Sequence, residues 1–213
     1  MAQVPTGTTF YIASAYAASK TTTVVTNASE AVVTSAAHGY SNGDIVEITS
    51  GWGRLNRRVF RLKSVATDTF VLEGADTSST TFFPAGTGTV RKISTFTQIT
   101  KVMNPNTSGG EPKNVNYKFV ESDVEYSIND GFTATNYAMD IDADGVSDAG
   151  YLALKTLTDV QTDTCLKMVL RSGSLIFIPC TAALNEAVQL QDGQINRVKA
   201  TFNGNNRLTR YAS

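Results

Sequence analysis

The sequence has few of the residues from which most active sites and metal sites are built: its 213 residues include one histidine, two cysteines and one tryptophan. Because His38 is the single histidine, a Ser-His-Asp or Cys-His catalytic group could form only around it. It lies in a glycine-rich stretch without a candidate nucleophile nearby, which favours a role in a turn or in packing. The sequence therefore predicts no enzymatic activity, no cofactor and no metal, although its many carboxylates leave a glycosidase as a minor alternative.

Charged side chains and long apolar runs are also scarce. Charged residues make up 17% of the chain, below the usual ~25%, and no run approaches the ~20 apolar residues of a membrane span. Residues 1–5 show no features of a secretory signal, so folding in a cytoplasm is expected. The net charge is −1, without the basic surplus of a protein that binds nucleic acid. The charge is uneven: residues 111–163 carry eleven acidic residues and three lysines, whereas residues 164–213 carry +4.

What is present is a pattern of many short strands. Over residues 25–93, five or six β-branched, apolar stretches alternate with turns, which predicts a small β-barrel or sandwich. A loose basic tail is expected after Asn203. Further strands are predicted over residues 96–102, 115–120, 124–128, 135–141 and 194–202. A flexible loop rich in turn formers is predicted at residues Asn104, Pro105, Asn106, Thr107, Ser108, Gly109, Gly110, Glu111 and Pro112.

Residues 147–161 predict the helix of the chain. Ser147 or Asp148 can cap its first turn with a side-chain oxygen. Apolar residues then recur at spacings of three and four, as on one face of a helix, until the pattern ends near Gln161. The members of this stripe are Ala149, Ala153, Leu154, Leu157 and Val160.

A hairpin follows the helix and is expected to pack against it. Its strands are predicted over residues 165–170 and 175–178, joined by a turn. Centred between Ser172 and Gly173, the hairpin would place Cys165 opposite Cys180, but a reducing cytoplasm favours free thiols.

The second strand of this hairpin is more apolar than one buried face requires. Its four consecutive large apolar residues point alternately to opposite faces of a sheet. Either both faces are covered within the chain, or one is covered by another copy. The four residues are Leu175, Ile176, Phe177 and Ile178.

Two charged stretches leave alternatives open. Residues 140–145 match the first half of a calcium-binding loop, but Tyr151 stands where a bidentate Glu is expected, so an acidic turn that caps the helix is favoured. A basic cluster beside Trp52 and Phe60 is either a contact for polysaccharide, nucleic acid or a neighbouring subunit, or the solvated face of an outer module. The second reading is favoured for its members Arg54, Arg57, Arg58, Arg61 and Lys63.

Several stretches resemble the major tail tube proteins of long-tailed, siphovirus-type bacteriophages. They are residues 5–10 (PTGTTF), 37–56 (AHGYSNGDIVEITSGWGRLN), 70–77 (FVLEGADT), 84–88 (PAGTG) and 97–99 (TQI). The resemblance implies a mainly β protein: a β-sandwich with one flanking α-helix, formed by residues 1–24 and 94–213. Residues 25–93 are then an inserted small β domain on the outer surface, of a kind found in phage tail proteins.

The resemblance also implies a function by self-assembly. In that family six copies form a ring, and rings stack into a hollow tube through which DNA is delivered to the host without specific binding. Other expected partners are the tape measure, tail tip and terminator proteins, with assembly in the host bacterial cytoplasm. The alternative function is a tail-associated module that binds glycans on the host surface.

Two sets of residues receive roles under this resemblance. Residues 104–112 are expected to bridge successive rings, so that residues 104–110 together with 175–178 form the subunit interface. An acidic channel would repel the phosphates of DNA. The residues expected to face it are Glu121, Asp123, Glu125, Asp140, Asp142 and Asp144.

Overall fold

The chain is built mainly of β-strands, as predicted, in a computed structural model that describes residues 6–83 and 86–212. These residues contain one α-helix, α1 (Ala149–Val160), and a 3₁₀ helix at Ala143–Gly145. Their sixteen strands are β1 (Thr9–Tyr16), β2 (Lys20–Thr22), β3 (Val24–Val25), β4 (Val32–Thr34), β5 (Ile45–Ser50), β6 (Arg58–Lys63), β7 (Thr69–Leu72), β8 (Gly88–Ile99), β9 (Val102–Ser108), β10 (Pro112–Tyr117), β11 (Tyr126–Phe132), β12 (Asn136–Asp142), β13 (Asp163–Val169), β14 (Leu175–Gln189), β15 (Arg197–Gly204) and β16 (Thr209–Tyr211). The prediction for residues 1–5, and motif residues 5, 84 and 85, lie outside the described part of the chain.

Fourteen of the described strands form one curled sheet. Its order is β3-β4-β7-β6-β5-β8-β1-β13-β14-β15-β12-β9, with β2 paired to β8 and β16 paired to β14. The centre of this order is β8, whose first half pairs with β5 and whose second half pairs with β1. A single strand therefore runs through both halves of the molecule. Strands β10 and β11 pair only with each other.

The buried side chains form two large clusters and a smaller one between them. The first lies under α1 and includes Ile12, Leu154, Leu166, Ile178 and Phe202. The second fills the small β region and includes Val46, Phe60, Leu62, Phe70 and Leu72. The third lies between them and contains Ala13, Val59, Ile93, Cys165, Phe177 and Tyr211. Alternating strand residues supply each cluster, because successive side chains point to opposite faces.

Helix α1 begins and ends where the sequence predicts, but its cap differs. Asp148 occupies the N-cap position without a side-chain bond to a helix N–H. Its carboxylate instead accepts a hydrogen bond from Thr100 at 3.0 Å and lies 3.3 Å from the ammonium of Lys101. These two partners lower the pKa of Asp148. The predicted cap residue thus joins the helix to the β8–β9 turn.

The buried face of α1 is also rotated from the predicted stripe. Gly150, Tyr151 and Leu154 are buried, whereas Ala149 and Val160 are exposed. Gly150 decides this orientation: a Cβ there would lie 2.3 Å from the carbonyl oxygen of Gln98. The helix therefore approaches the sheet through a residue without a side chain, a contact that apolar periodicity does not reveal.

The predicted hairpin exists as β13 and β14, one residue out of the expected register. Thr164 pairs with Cys180 and Cys165 pairs with Pro179, so the two cysteines point to opposite faces of the sheet. Both are buried, free thiols, as expected for the redox state. Burial raises the pKa of Cys165 and raises the pKa of Cys180 to about 12.

Two predictions of irregular structure are wrong. Residues 104–108 belong to β9, the edge strand that pairs with β12, and Pro105 is tolerated because an edge strand has unpaired N–H positions. The tail after Asn203 is not loose: β16 pairs with β14, and Tyr211 packs against Phe177 with ring centroids 6.0 Å apart.

Candidate assembly surface

The β10–β11 hairpin projects from the sheet, and we call residues 111–132 the arm. All six residues of β10 and six of the seven in β11 are exposed. The arm is anchored at its base, where the backbone N–H of Thr133 donates to the carbonyl of Glu111 at 2.9 Å. There the guanidinium of Arg207 lies over the ring of Phe132 at 4.4 Å. The six residues of β10 extend about 20 Å, and the exposure of both strands shows that the described residues of the chain leave most of the arm uncovered.

One face of the arm is apolar and the other is polar. Val115 pairs with Ile128 and Tyr117 pairs with Tyr126, which places these side chains on the same face. Phe119 extends this face, with its ring centroid 5.4 Å from that of Tyr117. The opposite face carries Asn114, Asn116, Ser127 and Asn129. An isolated two-stranded hairpin is marginally stable in water, so this exposed aromatic face is the candidate surface for a contact with another molecule.

The tip of the arm combines apolar and acidic side chains. Val120 has a relative exposure of 104% and Phe119 one of 52%. Glu121, Asp123 and Glu125 surround them, and none of the three has a cationic partner within 4.0 Å among the described residues. Over the whole arm, five acidic residues and two lysines give a net charge of −3.

A groove of about 1010 Å³ opens at one end of the curled sheet, and no residue of α1 lines it. We call it the end groove. Apolar side chains from β1, β8, β9, β12, β13 and β14 contribute to its wall, and they include Phe10, Ile99, Val102, Tyr137, Met168 and Ile176. Tyr137 is half-buried there, and burial raises its pKa. No arm residue lines the groove.

The charges at the end groove are all positive. Lys101, Arg171 and Arg210 lie on its wall, and no acidic residue does. Lys101 is engaged by Asp148 at 3.3 Å. Arg171 and Arg210 are exposed, and within the described residues neither lies within 4.0 Å of a carboxylate. The groove therefore presents two cations without partners beside an apolar floor.

Of the four apolar interface residues predicted at 175–178, two are buried and two are half-buried. Phe177 and Ile178 are 0% exposed, so they are not available to another copy, and their prediction as contact residues is wrong. The ring of Phe177 packs against Tyr211, and Ile178 belongs to the cluster under α1. Leu175 and Ile176 are half-buried, and Ile176 reaches the end groove. Two of the four apolar residues are therefore buried by other parts of the same chain.

The loop residues predicted to bridge copies lie in two places. Pro105 and Thr107 line the end groove. The exposed Asn104, Asn106 and Ser108 belong to the same edge strand. Gly109 and Gly110 have positive φ angles, and a Cβ on Gly109 would lie 1.9 Å from the carbonyl oxygen of Ala134, so they form the tight base of the arm.

The acidic residues predicted to face a channel form two separate groups. Glu121, Asp123 and Glu125 are at the arm tip, whereas Asp140, Asp142 and Asp144 lie on β12 and the 3₁₀ helix. The second group is partly neutralised. Asp140 accepts a hydrogen bond from Asn104 at 3.1 Å and lies 3.6 Å from Arg197, and Asp142 accepts from the backbone N–H of Asp144 at 3.0 Å.

The acidic stretch is not built as a calcium loop. Asp140 and Asp142 are strand residues, and only residues 143–145 form a 3₁₀ turn. Across residues 6–83 and 86–212, no three His, Cys, Asp or Glu side chains are grouped to hold a metal. The acidic turn was predicted to cap α1, but Asp142 caps the 3₁₀ helix instead.

The side chains of the basic cluster in the small β region have partners within the same chain. Arg57 pairs with Asp163 at 2.6 Å, Arg61 with Glu73 at 2.5 Å and Lys63 with Glu30 at 2.6 Å. Arg58 is half-buried near Phe60 and Thr209, and Arg54 stacks over the ring of Phe82 at 3.3 Å. It is therefore neither an open anionic-ligand site nor a merely solvated face.

His38 has the packing role that the sequence favours. Its Nδ1 accepts a hydrogen bond from the N–H of Tyr40 at 3.0 Å, and its ring stacks on Tyr40 and contacts Phe70 edge-on. It is buried. No helix over the described residues has the length and apolarity of a membrane span.

Sequence reasoning missed the arm and the end groove as surfaces. The two arm strands were predicted, and their alternation implied one buried face, but nothing local shows that this face lacks a cover. The available signal was the acidic tip, because three carboxylates in a turn between apolar strands keep that turn out of any core.

A known protein family matches most of the sequence. The sequence model of one protein family, described as "Phage tail tube protein, TTP", matches residues 50–213. The matched part includes the arm, α1 and most of the end groove. The resembling stretches at residues 5–10 and 37–49 lie before it. No curated protein matches this sequence.

Proposed function

Because the chain belongs to the phage tail tube protein family, we propose that its copies assemble into rings of six that stack into the hollow tube of a long-tailed phage. DNA passes through this tube to the host without being bound specifically. The chain is a structural component of the virion tail, and we assign it no catalytic step.

The arm carries this proposal. A folded chain that leaves Tyr117, Phe119, Tyr126 and Ile128 on one exposed face has apolar surface that is stabilised only by a neighbour. The arm and the end groove are different surfaces of the same chain. A contact between them is heterologous, and heterologous contacts generate rings or open helical assemblies.

We assign the wall of the tube to residues 1–24 and 94–213 and an outer module to residues 25–93. In support, the cluster under α1 and the cluster of the small β region share no residue. The arm and the end groove both belong to the wall region, which is where contacts between copies are needed.

We assign the channel lining to the surface that carries Asp140 and Asp142 of β12 and Asp144 of the 3₁₀ helix. These are three of the six acidic residues predicted to face the channel. The other three, at the tip of the arm, are assigned to contacts between copies. Arg197 and Lys101 lie beside the same surface, so the lining has a slight acidic excess rather than a strongly negative field. Such a surface does not retain phosphates.

The remaining partners follow from the place of such a tube in a virion. We infer contacts with the tape measure inside the tube and with tail tip and terminator proteins at its ends, after assembly in the bacterial cytoplasm. The paired state of the basic cluster gives no support to a glycan-binding role.

Negative-stain electron microscopy and sedimentation of the purified chain test the proposal. Rings or tubes with a central channel are expected at high protein concentration. A Tyr117→Ser, Phe119→Ser, Ile128→Ser variant, which removes three side chains of the apolar face but no buried residue, is expected to remain monomeric. Monomers of the unmodified chain at all concentrations, or binding to host glycans without assembly, would contradict the proposal.

A further inference from the structure

The arm and the end groove are complementary in both chemistry and charge. The arm offers an aromatic face with three unpaired carboxylates at its tip, and the groove offers an apolar floor with two unpaired guanidinium groups. The net charges are −3 over the arm and +3 over the residues that line the groove. Opposite charges on two surfaces that each lack a partner favour one specific encounter over others.

We propose that the arm of one copy inserts into the end groove of a neighbouring copy. The proposal rests on the assembly function above and names the surface that receives the arm. Phe119 and Val120 contact the floor near Tyr137 and Ile176, and the tip carboxylates of Glu121, Asp123 and Glu125 face Arg171 and Arg210.

The alternatives on the same chain fit less well. The exposed edge of β9 could pair with an arm strand through backbone hydrogen bonds, but this would leave the aromatic face uncovered. Two arms packed face to face would bring six unpaired tip carboxylates together, which is unfavourable because like charges repel. Insertion into the end groove alone covers the rings and neutralises the tip.

None of the residues that the structure describes closes the groove, so insertion needs no rearrangement of the sheet. Its polar rim contains Thr8, Gln98 and Thr107, which can bond to the arm backbone. A preformed site loses little conformational entropy on binding. The entropy cost falls on the arm, which becomes fixed only when it is bound.

Charge reversal tests the contact directly. One variant carries Glu121→Lys, Asp123→Lys and Glu125→Lys, and a second carries Arg171→Glu and Arg210→Glu. We expect each to raise the protein concentration needed for assembly by about tenfold or more. All five substitutions are at exposed positions, so the thermal unfolding midpoint of the single chain is the control and should not change.

A chain that carries both sets of substitutions should recover assembly, because the two surfaces are again opposite in charge. Rescue of this kind is expected only for groups in contact. If the single sets have no effect, or if the combined chain assembles no better than either one, the proposed contact is wrong although the tube function stands. If the unmodified chain never assembles, the function and the contact both fail.

Paired cysteines provide an independent readout. Val120→Cys combined with Leu170→Cys should give disulfide-linked copies after mild oxidation of the assembled protein, and the native cysteines do not interfere because they are buried. Val120→Cys with Ser79→Cys, on the outer module, is the matched control and should not cross-link. Cross-linking through Asn106→Cys on the β9 edge instead, or through Val120→Cys alone, would overturn the proposal in favour of strand addition or arm pairing.

Discussion

Two hairpins of this chain, β13–β14 and the arm, differ in how their apolar side chains are covered, and β13–β14 is the richer of the two in apolar residues. In β13–β14 both faces are covered, because α1 and β15 residues pack on one side and Tyr211 packs on the other. In the arm neither face is covered. A run of consecutive apolar residues therefore indicates a strand that is buried on two sides. The exposed apolar face of this chain lies instead on β10 and β11, whose residues alternate between apolar and polar.

The largest expected effect comes from truncating the covered hairpin. Phe177→Ala should lower the free energy of unfolding by about 3–5 kcal/mol, because it leaves a cavity between two sheet halves. Phe119→Ala in the arm is the matched control and should change it by less than about 0.5 kcal/mol. Urea unfolding of the dissociated chain measures both. Equal losses in the two variants would remove the distinction between the hairpins.

Thiol reactivity gives a second contrast. Burial raises the pKa of Cys180 from 9.0 to about 12, so at neutral pH its thiolate is about a thousandfold scarcer than that of an ordinary cysteine. Neither native thiol should react with a maleimide until the chain unfolds. A Val120→Cys variant should react at once with one equivalent, as followed by mass spectrometry. Rapid labelling of Cys165 or Cys180 in the folded chain would show that the hairpin opens.

Proteolysis tests the arm without a substitution. Trypsin should first cut the dissociated chain at Lys113 or Lys118, because exposed, weakly anchored segments are cleaved first. Assembled protein should lose this cut if the arm is inserted in a neighbour. A gel time course with mass analysis gives the order of cuts. A first cut within residues 25–93 would show that the least protected segment is not the arm.

The smallest expected change in stability concerns the contacts of Tyr211, whose ring packs against Phe177. Tyr211 accepts a hydrogen bond from the N–H of Arg61 and donates one to the carbonyl of Glu73. Separately, the guanidinium of Arg61 donates hydrogen bonds to the carboxylate of Glu73, which lowers the pKa of that carboxyl.

A lowered pKa makes this pair a source of stability that depends on pH. The contribution is present above the unfolded pKa of Glu, ~4.3, and is lost as pH falls through the lower folded value. Glu73→Gln should therefore cost up to about 1 kcal/mol at pH 7, with the difference from the unmodified chain shrinking in acid. Urea unfolding at several pH values measures this difference, and one that grows in acid would contradict the assignment.

The sequence alone predicted the parts of this fold that local pattern controls. The bounds of α1, the mainly β class and most strands follow from periodicity and turn residues. The hairpin register was wrong by one residue because Val169 pairs with Leu175 around a five-residue connection, which apolar alternation does not distinguish from a shorter turn. Pro105 and its neighbours looked like a loop because edge strands tolerate turn formers.

The parts that could not be predicted depend on distant segments. Nothing near Phe177 shows that Tyr211 covers it, so its burial within one chain and its burial by a second copy looked alike. The end groove gathers residues from β1, β9, β12, β13, β14 and β16, whose proximity follows only from the sheet order. The arm acids were predicted to face a channel, and nothing in the sequence related them to Arg171 and Arg210, which are remote from them in the chain.

Strand β8 has a mechanical consequence. Its twelve residues, about 40 Å when extended, pair with β5 of the small β region at one end and with β1 at the other. A force on the small β region would thus be transmitted along a backbone held on both sides by hydrogen bonds, which must break together in shear. In the proposed tube, a bend or twist of the wall would therefore move residues 25–93 with it.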